Sequence, residues 1–115
     1  MEQLNAVTLR GIIGSVRVTD IQDRKVAHFT VATNYAFKTK DGMVEIEIQW
    51  HNVSAWEGNK IADLTALQKG QSVEVQGRIR NQRYTASDGT ERYCTEILAR
   101  EVKILEGHLA MESGL

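Results

Sequence analysis

Five segments of this chain alternate apolar and polar residues with a period of two, which is the pattern of a half-buried β-strand. The apolar residues that define these segments lie within positions 7–13, 27–31, 46–50, 73–79 and 93–99. In the third and fifth segments the apolar parity changes, between Trp50 and Val53 and between Ala99 and Val102. Such a change is typical of a curled strand in which a bulge moves the buried face. The sequence therefore predicts a mainly β protein with five strands.

One segment between the third and fourth strands has apolar residues at helical spacing. Ile61, Leu64 and Leu67 recur along one face of this segment. Asn59 is a suitable N-cap residue, and Gly70 is a suitable residue to follow the last helical turn. We therefore predict one α-helix between strands 3 and 4.

The predicted order is three strands, one helix and two further strands. A flat five-stranded meander would leave edges unpaired, whereas a small closed barrel with a helix across one end removes them. The OB-fold is a five-stranded Greek-key barrel, and its helix lies between the third and fourth strands. We predict this fold for one domain at residues 1–105, followed by a short, frayed C-terminal extension at residues 106–115.

Composition narrows the classes of function. The chain has 115 residues, of which 42% are hydrophobic and 25% charged, with a net charge of −1. A uniformly basic nucleic-acid binder is excluded, so any basic surface must be local. Cys94 is the only cysteine, which rules out a disulfide within the chain. No apolar run approaches the roughly 18 residues of a membrane span, and the N-terminus lacks a signal-peptide pattern, so we expect a cytoplasmic protein.

The only two tryptophans of the chain lie on the polar side of the third strand. Trp50 and Trp56 have the same parity, opposite to that of Val53 and Ala55. A single outward tryptophan is more often half-buried packing than a binding residue, and Trp56 alone would suit a cap on the helix end of the barrel. Six residues separate the two rings, or roughly 20 Å along a strand at about 3.3 Å per residue. The two rings are too far apart to stack on the same base, but they can stack on separate bases along one nucleic-acid strand.

Further aromatic and basic residues accompany the tryptophans. Those opposite the core of the fourth strand, or at the tip of the hairpin between the second and third strands, are Arg78, Arg80, Tyr84, Phe37, Lys38 and Lys40. Aromatic rings interleaved with cations form a surface for single-stranded nucleic acid, because the rings stack on bases and the cations neutralise phosphates. Taken singly, the arginines would suit ion pairs with Glu74 and Glu96, and Tyr84 would suit cross-strand packing.

Five stretches of the sequence resemble, in order, signatures of the bacterial single-stranded DNA-binding protein family. These stretches are NAVTLRGIIG, FTVAT, QWHNVSAW, LQKGQSVEVQGRIR and YTASDGTERYCTEI. They extend over about residues 4–105. Each stretch is weak alone, but five in the expected order are specific.

The resemblance implies a function and a set of residues. It implies that the chain binds single-stranded DNA without strong sequence preference, protecting it during replication, recombination or repair, with no cofactor or metal. Base-stacking residues would be Phe37, Trp50, Trp56 and Tyr84. The family usually forms homotetramers, and its histidine beside the subunit interface matches His51. Most members continue into a flexible tail whose acidic tip recruits partner proteins; this sequence shows no such tail, so we expect that device to be lacking.

Two other classes of function compete with this interpretation. The first is an OB-fold accessory protein of the primosome type, or an RNA-binding OB domain, acting mainly through partner interactions. The second is an enzyme. However, His28, His51, His108 and Cys94 lack metal-ligand spacing, and no nucleophilic triad or phosphate-loop motif is present. We therefore expect a protein that is not an enzyme.

Overall fold

The structure is a computed structural model that describes residues 1–105, so the predicted extension at residues 106–115 lies outside the described residues. Five strands make up most of the described part, in agreement with the five alternating segments. Their bounds are β1 Val7–Ile21, β2 Arg24–Lys38, β3 Val44–Trp56, β4 Ser72–Thr85 and β5 Glu91–Ile104.

The strands close into a barrel in the order β1-β2-β3-β5-β4, with β4 returning to β1. All neighbouring strands are antiparallel except β3 and β5, which run parallel and pair only at Val53↔Ile97 and Ser54↔Leu98. This closed topology confirms the predicted five-stranded Greek-key barrel.

The long first strand closes the barrel because it pairs with two partners. Its first half pairs with β4, and its second half pairs with β2. Gly11 lies in the first half, where a Cβ atom would overlap the carbonyl oxygen of Ala32 on β2. A residue without a side chain is therefore required where three strands approach one another.

The core of the barrel is filled by inward-facing residues of all five strands. The largest fully buried side chains of this core are Ile13, Val31, Val53, Val73, Val75 and Val102; Val26 is also buried but has the opposite parity on β2. Burial of each such side chain contributes about 1.5–3 kcal/mol relative to leaving it exposed. The alternating pattern of the sequence is therefore the pattern that this core requires.

The predicted α-helix is wrong. In its place lies a three-residue 3-10 helix, Leu64–Ala66, and its N-cap is Asp63 rather than Asn59. The reason lies in the preceding backbone, which pairs with β5. The amide of Ala62 donates to the carbonyl of Val102 at 2.9 Å, and the amide of Val102 donates to Lys60 at 3.0 Å. Backbone held in this way cannot also form i→i−4 helical bonds.

The apolar residues of this segment nevertheless do what the sequence suggested. Leu64 and Leu67 are buried and join the core. Gly70 has a positive φ of 92°, and its amide donates to the carbonyl of Ile13 at 2.8 Å. The segment thus covers one end of the barrel as a loop that contains one short 3-10 helix.

The two predicted changes of parity have different origins. A register shift between β4 and β5 at Gln76 and Gly77 confirms the bulge in the fifth strand. In contrast, β2 and β3 pair without a shift from Val26↔Trp56 to Lys38↔Val44, so the bulge expected in the third strand is wrong. The apolar residues at positions 46–50 lie on the exposed side of β3, where it has left the barrel wall and pairs only with β2.

Candidate nucleic-acid interface

The strand registers decide which side chains share a surface. Ala27, Val53, Val75 and Ile97 point into the core, so residues of the opposite parity on the same strands point away from it. We call this second surface the outer face. Five predicted site residues lie on it: Trp50, Trp56, Arg78, Arg80 and Tyr84.

Trp50 is the most accessible of these aromatic residues on β3. Its side chain is 60% exposed. Its ring lies against β1, where a Cβ atom on Gly14 would overlap Cζ3 of the indole and approach Thr30 on β2. Because Gly14 has no side chain, the indole ring can pack against β1 at this point, and much of the ring remains open to solvent.

Trp56 lies at the other end of β3 and is half-buried. The guanidinium carbon of Arg24 lies 5.0 Å from the centroid of its ring, which is the geometry of a cation–π contact. Arg24 also donates to the carbonyl of Glu57 at 3.4 Å. Trp56 thus combines structural packing with a partly accessible ring.

A hydrogen-bonded row crosses the outer face between the two tryptophans. It joins His28 on β2, Ser54 on β3, Glu96 on β5 and Arg80 on β4. The Ser54 hydroxyl donates to Oε2 of Glu96 at 2.7 Å and contacts Nδ1 of His28 at 2.9 Å. Arg80 donates to Oε1 of Glu96 from Nε at 3.0 Å and also from Nη2. The guanidinium is therefore held at a defined position on the face.

The carboxylate at the centre of this row is stabilised in its ionised form. Burial of Glu96 raises its pKa, but the hydrogen bonds from Ser54 and Arg80 and the positive charge of Arg80 outweigh burial. The pKa of Glu96 is lowered as a result. The row consequently carries a fixed negative charge that is compensated by Arg80.

The remaining predicted cations are less constrained than Arg80. Arg78, Lys38 and Lys40 are exposed and form no ion pair within residues 1–105. Lys38 ends β2, and Lys40 lies in the turn before β3. These three side chains are therefore available to external anions.

Phe37 lies on the side of the β2–β3 hairpin opposite to Trp50. It pairs with Glu45 and has the parity of the core residues rather than that of Trp50. Its ring is 6.3 Å from that of Tyr35, at an interplanar angle of 19°. The structure therefore does not bring Phe37 onto the outer face with the five predicted aromatic and basic residues named above.

His51 also has the parity of the core. Its Nε2 atom lies 2.9 Å from the hydroxyl of Thr33. Beside it, a cleft of about 290 Å³ opens where β3 diverges from β5, and its lining includes Leu9, Ile79 and Ile97. His51 is thus a hydrogen-bonded strand residue next to an apolar opening in the barrel wall.

The sequence interpretation missed several exposed residues near this surface. Ile46 and Ile48 are 66% and 55% exposed and continue the line of Trp50 along β3. Strand parity alone would have placed them with Trp50. Arg17 pairs across strands with His28, and this neighbour required knowledge of the β1–β2 register.

No group of three or more histidine, cysteine, aspartate or glutamate side chains within residues 1–105 is arranged to hold a metal ion. In the same part of the chain, no helix has both the length and the apolar character needed to cross a membrane.

Sequence comparisons relate this chain to known proteins. A profile of the Single-strand binding protein family matches residues 4–105. A Single-stranded DNA-binding protein of Neisseria meningitidis is 34% identical over 116 aligned positions, which cover 96% of this chain and 65% of that protein. Single-stranded DNA-binding protein B of Bacillus subtilis is 42% identical over 83 positions, which cover 70% of each chain.

The chain is shorter than some of these relatives. Single-stranded DNA-binding protein 1 of Chlorobaculum tepidum is 32% identical over 107 positions, which cover 89% of this chain and 65% of that protein. The chain thus spans about 65% of the length of the Neisseria and Chlorobaculum proteins.

Two solved structures share the barrel. An SSB of Plasmodium falciparum in complex with ssDNA has a TM-score of 0.81 at 24% identity, covering 92% of this chain and 98% of that chain. A variant of the single-stranded DNA binding protein from Thermus aquaticus has a TM-score of 0.73 at 23% identity, covering 90% and 51%. Both likenesses support the OB-fold of the described residues.

Proposed function

This chain belongs to the Single-strand binding protein family, and we propose that it binds single-stranded DNA without strong sequence preference and protects it. The family is one of DNA-binding proteins rather than enzymes. The observation that carries the proposal is the outer face, where the exposed ring of Trp50 lies on the same surface as the exposed guanidinium of Arg78.

The aromatic residues of this face account for binding to bases. Trp50 and Tyr84 are 60% and 49% exposed, so their rings are open to stacking. Such stacking is worth about 1–3 kcal/mol per base and tolerates any sequence, because every base has a π-face. Trp56 adds a third ring at the far end of β3, where a stacked base would meet Arg24. Phe37 would contact the DNA only where the DNA passes round the tip of the β2–β3 hairpin.

The cations account for binding to phosphates. Arg78 provides exposed positive charge on the outer face, and Lys38 and Lys40 provide it at the tip of the β2–β3 hairpin. Arg80 uses Nε and Nη2 on Glu96, and the other N–H groups of its guanidinium remain for a phosphate. Because Glu96 holds that guanidinium in place, less side-chain entropy is lost when the phosphate binds.

The cellular role follows from coating of this kind. Single-stranded DNA arises during replication, recombination and repair, and a protein that stacks on its bases keeps the strand from pairing prematurely. We propose that the chain acts on such DNA in the cytoplasm, in association with the nucleoid.

We also propose that the chain assembles as a homotetramer. The apolar cleft beside His51 and the exposed Ile79 at its edge, 46% accessible, form a surface that a second copy would cover. Closed symmetry is the usual outcome for self-associating soluble proteins. His51 would then lie at or beside a subunit contact.

The decisive experiment is a titration of intrinsic tryptophan fluorescence with oligo(dT) at several salt concentrations. Stacking on Trp50 should quench the emission, and log K should fall with log[salt] by about 0.7 per phosphate neutralised. Duplex DNA of equal length should bind far more weakly. Preference for oligo(rU) over oligo(dT) would favour the RNA-binding alternative, and an affinity independent of salt would contradict the phosphate contacts.

A further inference from the structure

A second pair of basic side chains lies on the outer face, on the side of β1. Arg17 on β1 and His28 on β2 are directly opposite each other in the register, and both are exposed. Arg17 forms no ion pair with any residue from 1 to 105. The two side chains therefore extend the outer face beyond Ser54, towards the edge farthest from Arg80.

The hydrogen bonds of Ser54 decide which ring nitrogen of His28 carries a proton. A serine hydroxyl has a single proton to donate, and that of Ser54 goes to Glu96 at 2.7 Å. In its 2.9 Å contact with Nδ1 of His28, Ser54 must therefore accept. Nδ1 carries a hydrogen, and in the neutral ring Nε2 is a bare acceptor.

A phosphate oxygen accepts hydrogen bonds and cannot donate one to Nε2. The imidazole can therefore bind phosphate through Nε2 only when both nitrogens are protonated and the ring is cationic. Serine, by requiring Nδ1–H, removes the alternative in which the neutral ring turns an Nε2–H towards the ligand.

The charges around His28 favour an anion in that position. From β1 it is faced by Arg17, and through Ser54 it is linked to Glu96 on β5, whose charge is compensated by Arg80 on β4. The flanking register pairs contain no charged residue: Val26 lies opposite Thr19 on one side, and Thr30 contacts Ser15 on the other. Asp20, the nearest acid along β1, is paired with Lys25 at 2.9 Å.

We propose that Arg17 and His28 form a phosphate-binding subsite that extends the path of single-stranded DNA from β3 across β2 to β1, and that His28 binds the phosphate in its protonated form. The subsite rests on the proposed function, since its ligand is a backbone phosphate of single-stranded DNA. Binding at this subsite takes up a proton, so affinity rises as pH falls through the range in which imidazole titrates, about pH 5–8.

The test is a binding titration of fluorescently labelled oligo(dT), followed by anisotropy, from pH 6.0 to 8.5. The chain has three histidines, so three matched variants assign the effect: His28→Gln, with His51→Gln and His108→Gln as controls. As pH falls from 8.5, affinity of the parent should increase by at most tenfold per pH unit, the limit for uptake of one proton, and should level off once the ring is already protonated without DNA. His28→Gln should flatten this dependence, whereas both controls should retain it.

Arg17→Gln supplies an independent measurement on the other half of the pair. Removal of one phosphate contact should reduce the salt slope by about 0.7 and lower affinity about fivefold at 0.1 M salt. A merely structural role of either residue would alter the melting temperature but would not remove the pH dependence or change the salt slope.

The outcomes separate the subsite from the function itself. If the parent protein fails to bind oligo(dT) at any pH, the proposed function fails. If the parent binds but His28→Gln keeps its pH dependence, or the dependence follows a control histidine, the subsite is wrong and the function stands. Should His28→Gln not fold, calorimetry of the parent in buffers of different ionisation enthalpy decides: no proton uptake on oligo(dT) binding at any pH of the titration, or an unchanged salt slope in Arg17→Gln, overturns the subsite.

Discussion

Replacement of Trp50 by alanine separates a binding role from a packing role. A fully buried aromatic residue costs about 3–5 kcal/mol when truncated to alanine. The side chain of Trp50 is 60% exposed, so only its smaller, buried part contributes. The expected loss of stability is therefore about 1–2 kcal/mol, which should leave the barrel folded at room temperature.

The effect of the same change on DNA binding should be larger. Loss of one stacked base costs roughly 1–3 kcal/mol, or about 5- to 150-fold in affinity at 1.4 kcal/mol per tenfold. Trp50→Phe is the matched control, because it keeps a ring that can stack. It should retain most of the affinity lost by Trp50→Ala.

The assay must not depend on the tryptophan that is removed. Anisotropy of labelled oligo(dT) gives the affinity, and thermal melts give the stability of each variant. Gly14→Ala provides a second test of the stacking role, since its new Cβ would overlap the Trp50 ring in its present position. A Trp50→Ala protein that is unfolded, or that binds oligo(dT) as strongly as its parent, would refute the stacking role.

Three further predictions concern charge and assembly. Arg78→Ala should weaken oligo(dT) binding about fivefold at 0.1 M salt and reduce the salt slope by about 0.7. Arg80→Ala should also reduce the salt slope, and it should lower the melting temperature as well, because it leaves the buried Glu96 carboxylate without its cation. Equal melting temperatures of the two variants would contradict this. The pKa of Glu96 is lowered in the folded protein, so its ionised form contributes stability above about pH 4.3, which is lost as pH falls through the folded pKa; melts from pH 7 to pH 3 should show a smaller acid loss in Glu96→Gln than in the parent. Sedimentation equilibrium at micromolar concentration should give a tetramer that is weakened by a charge introduced at His51, as in His51→Glu, and a monomeric parent would rule the assembly out.

The sequence by itself determined the features that depend on neighbouring residues along the chain. The period of two in five segments predicted the strands, since successive side chains of a strand point to opposite sides. The same parity places Trp50 on the side of the strand opposite Val53, and it places Arg78 with Arg80. These predictions succeeded because each needs only the geometry of one strand.

The tertiary structure decided the features that depend on which strand lies beside which. The helical spacing of Ile61 and Leu64 did not produce an α-helix, because the backbone of residues 60–62 pairs with Val102 of β5, which is about forty residues away. Phe37 and Trp50 were grouped by residue type, but the unbroken register of β2 and β3 puts them on opposite sides of one hairpin.

The hydrogen-bonded row across the outer face shows most clearly what the sequence determines and what the tertiary structure decides. Nothing local joins His28, Ser54, Glu96 and Arg80, which come from four different strands. Whether Arg80 is a free cation or one held by a carboxylate depends on the closure of the barrel, which brings β4, β5, β3 and β2 side by side. Side-chain type and parity come from the sequence, whereas partners come from register and closure, because these are set by packing of the whole core.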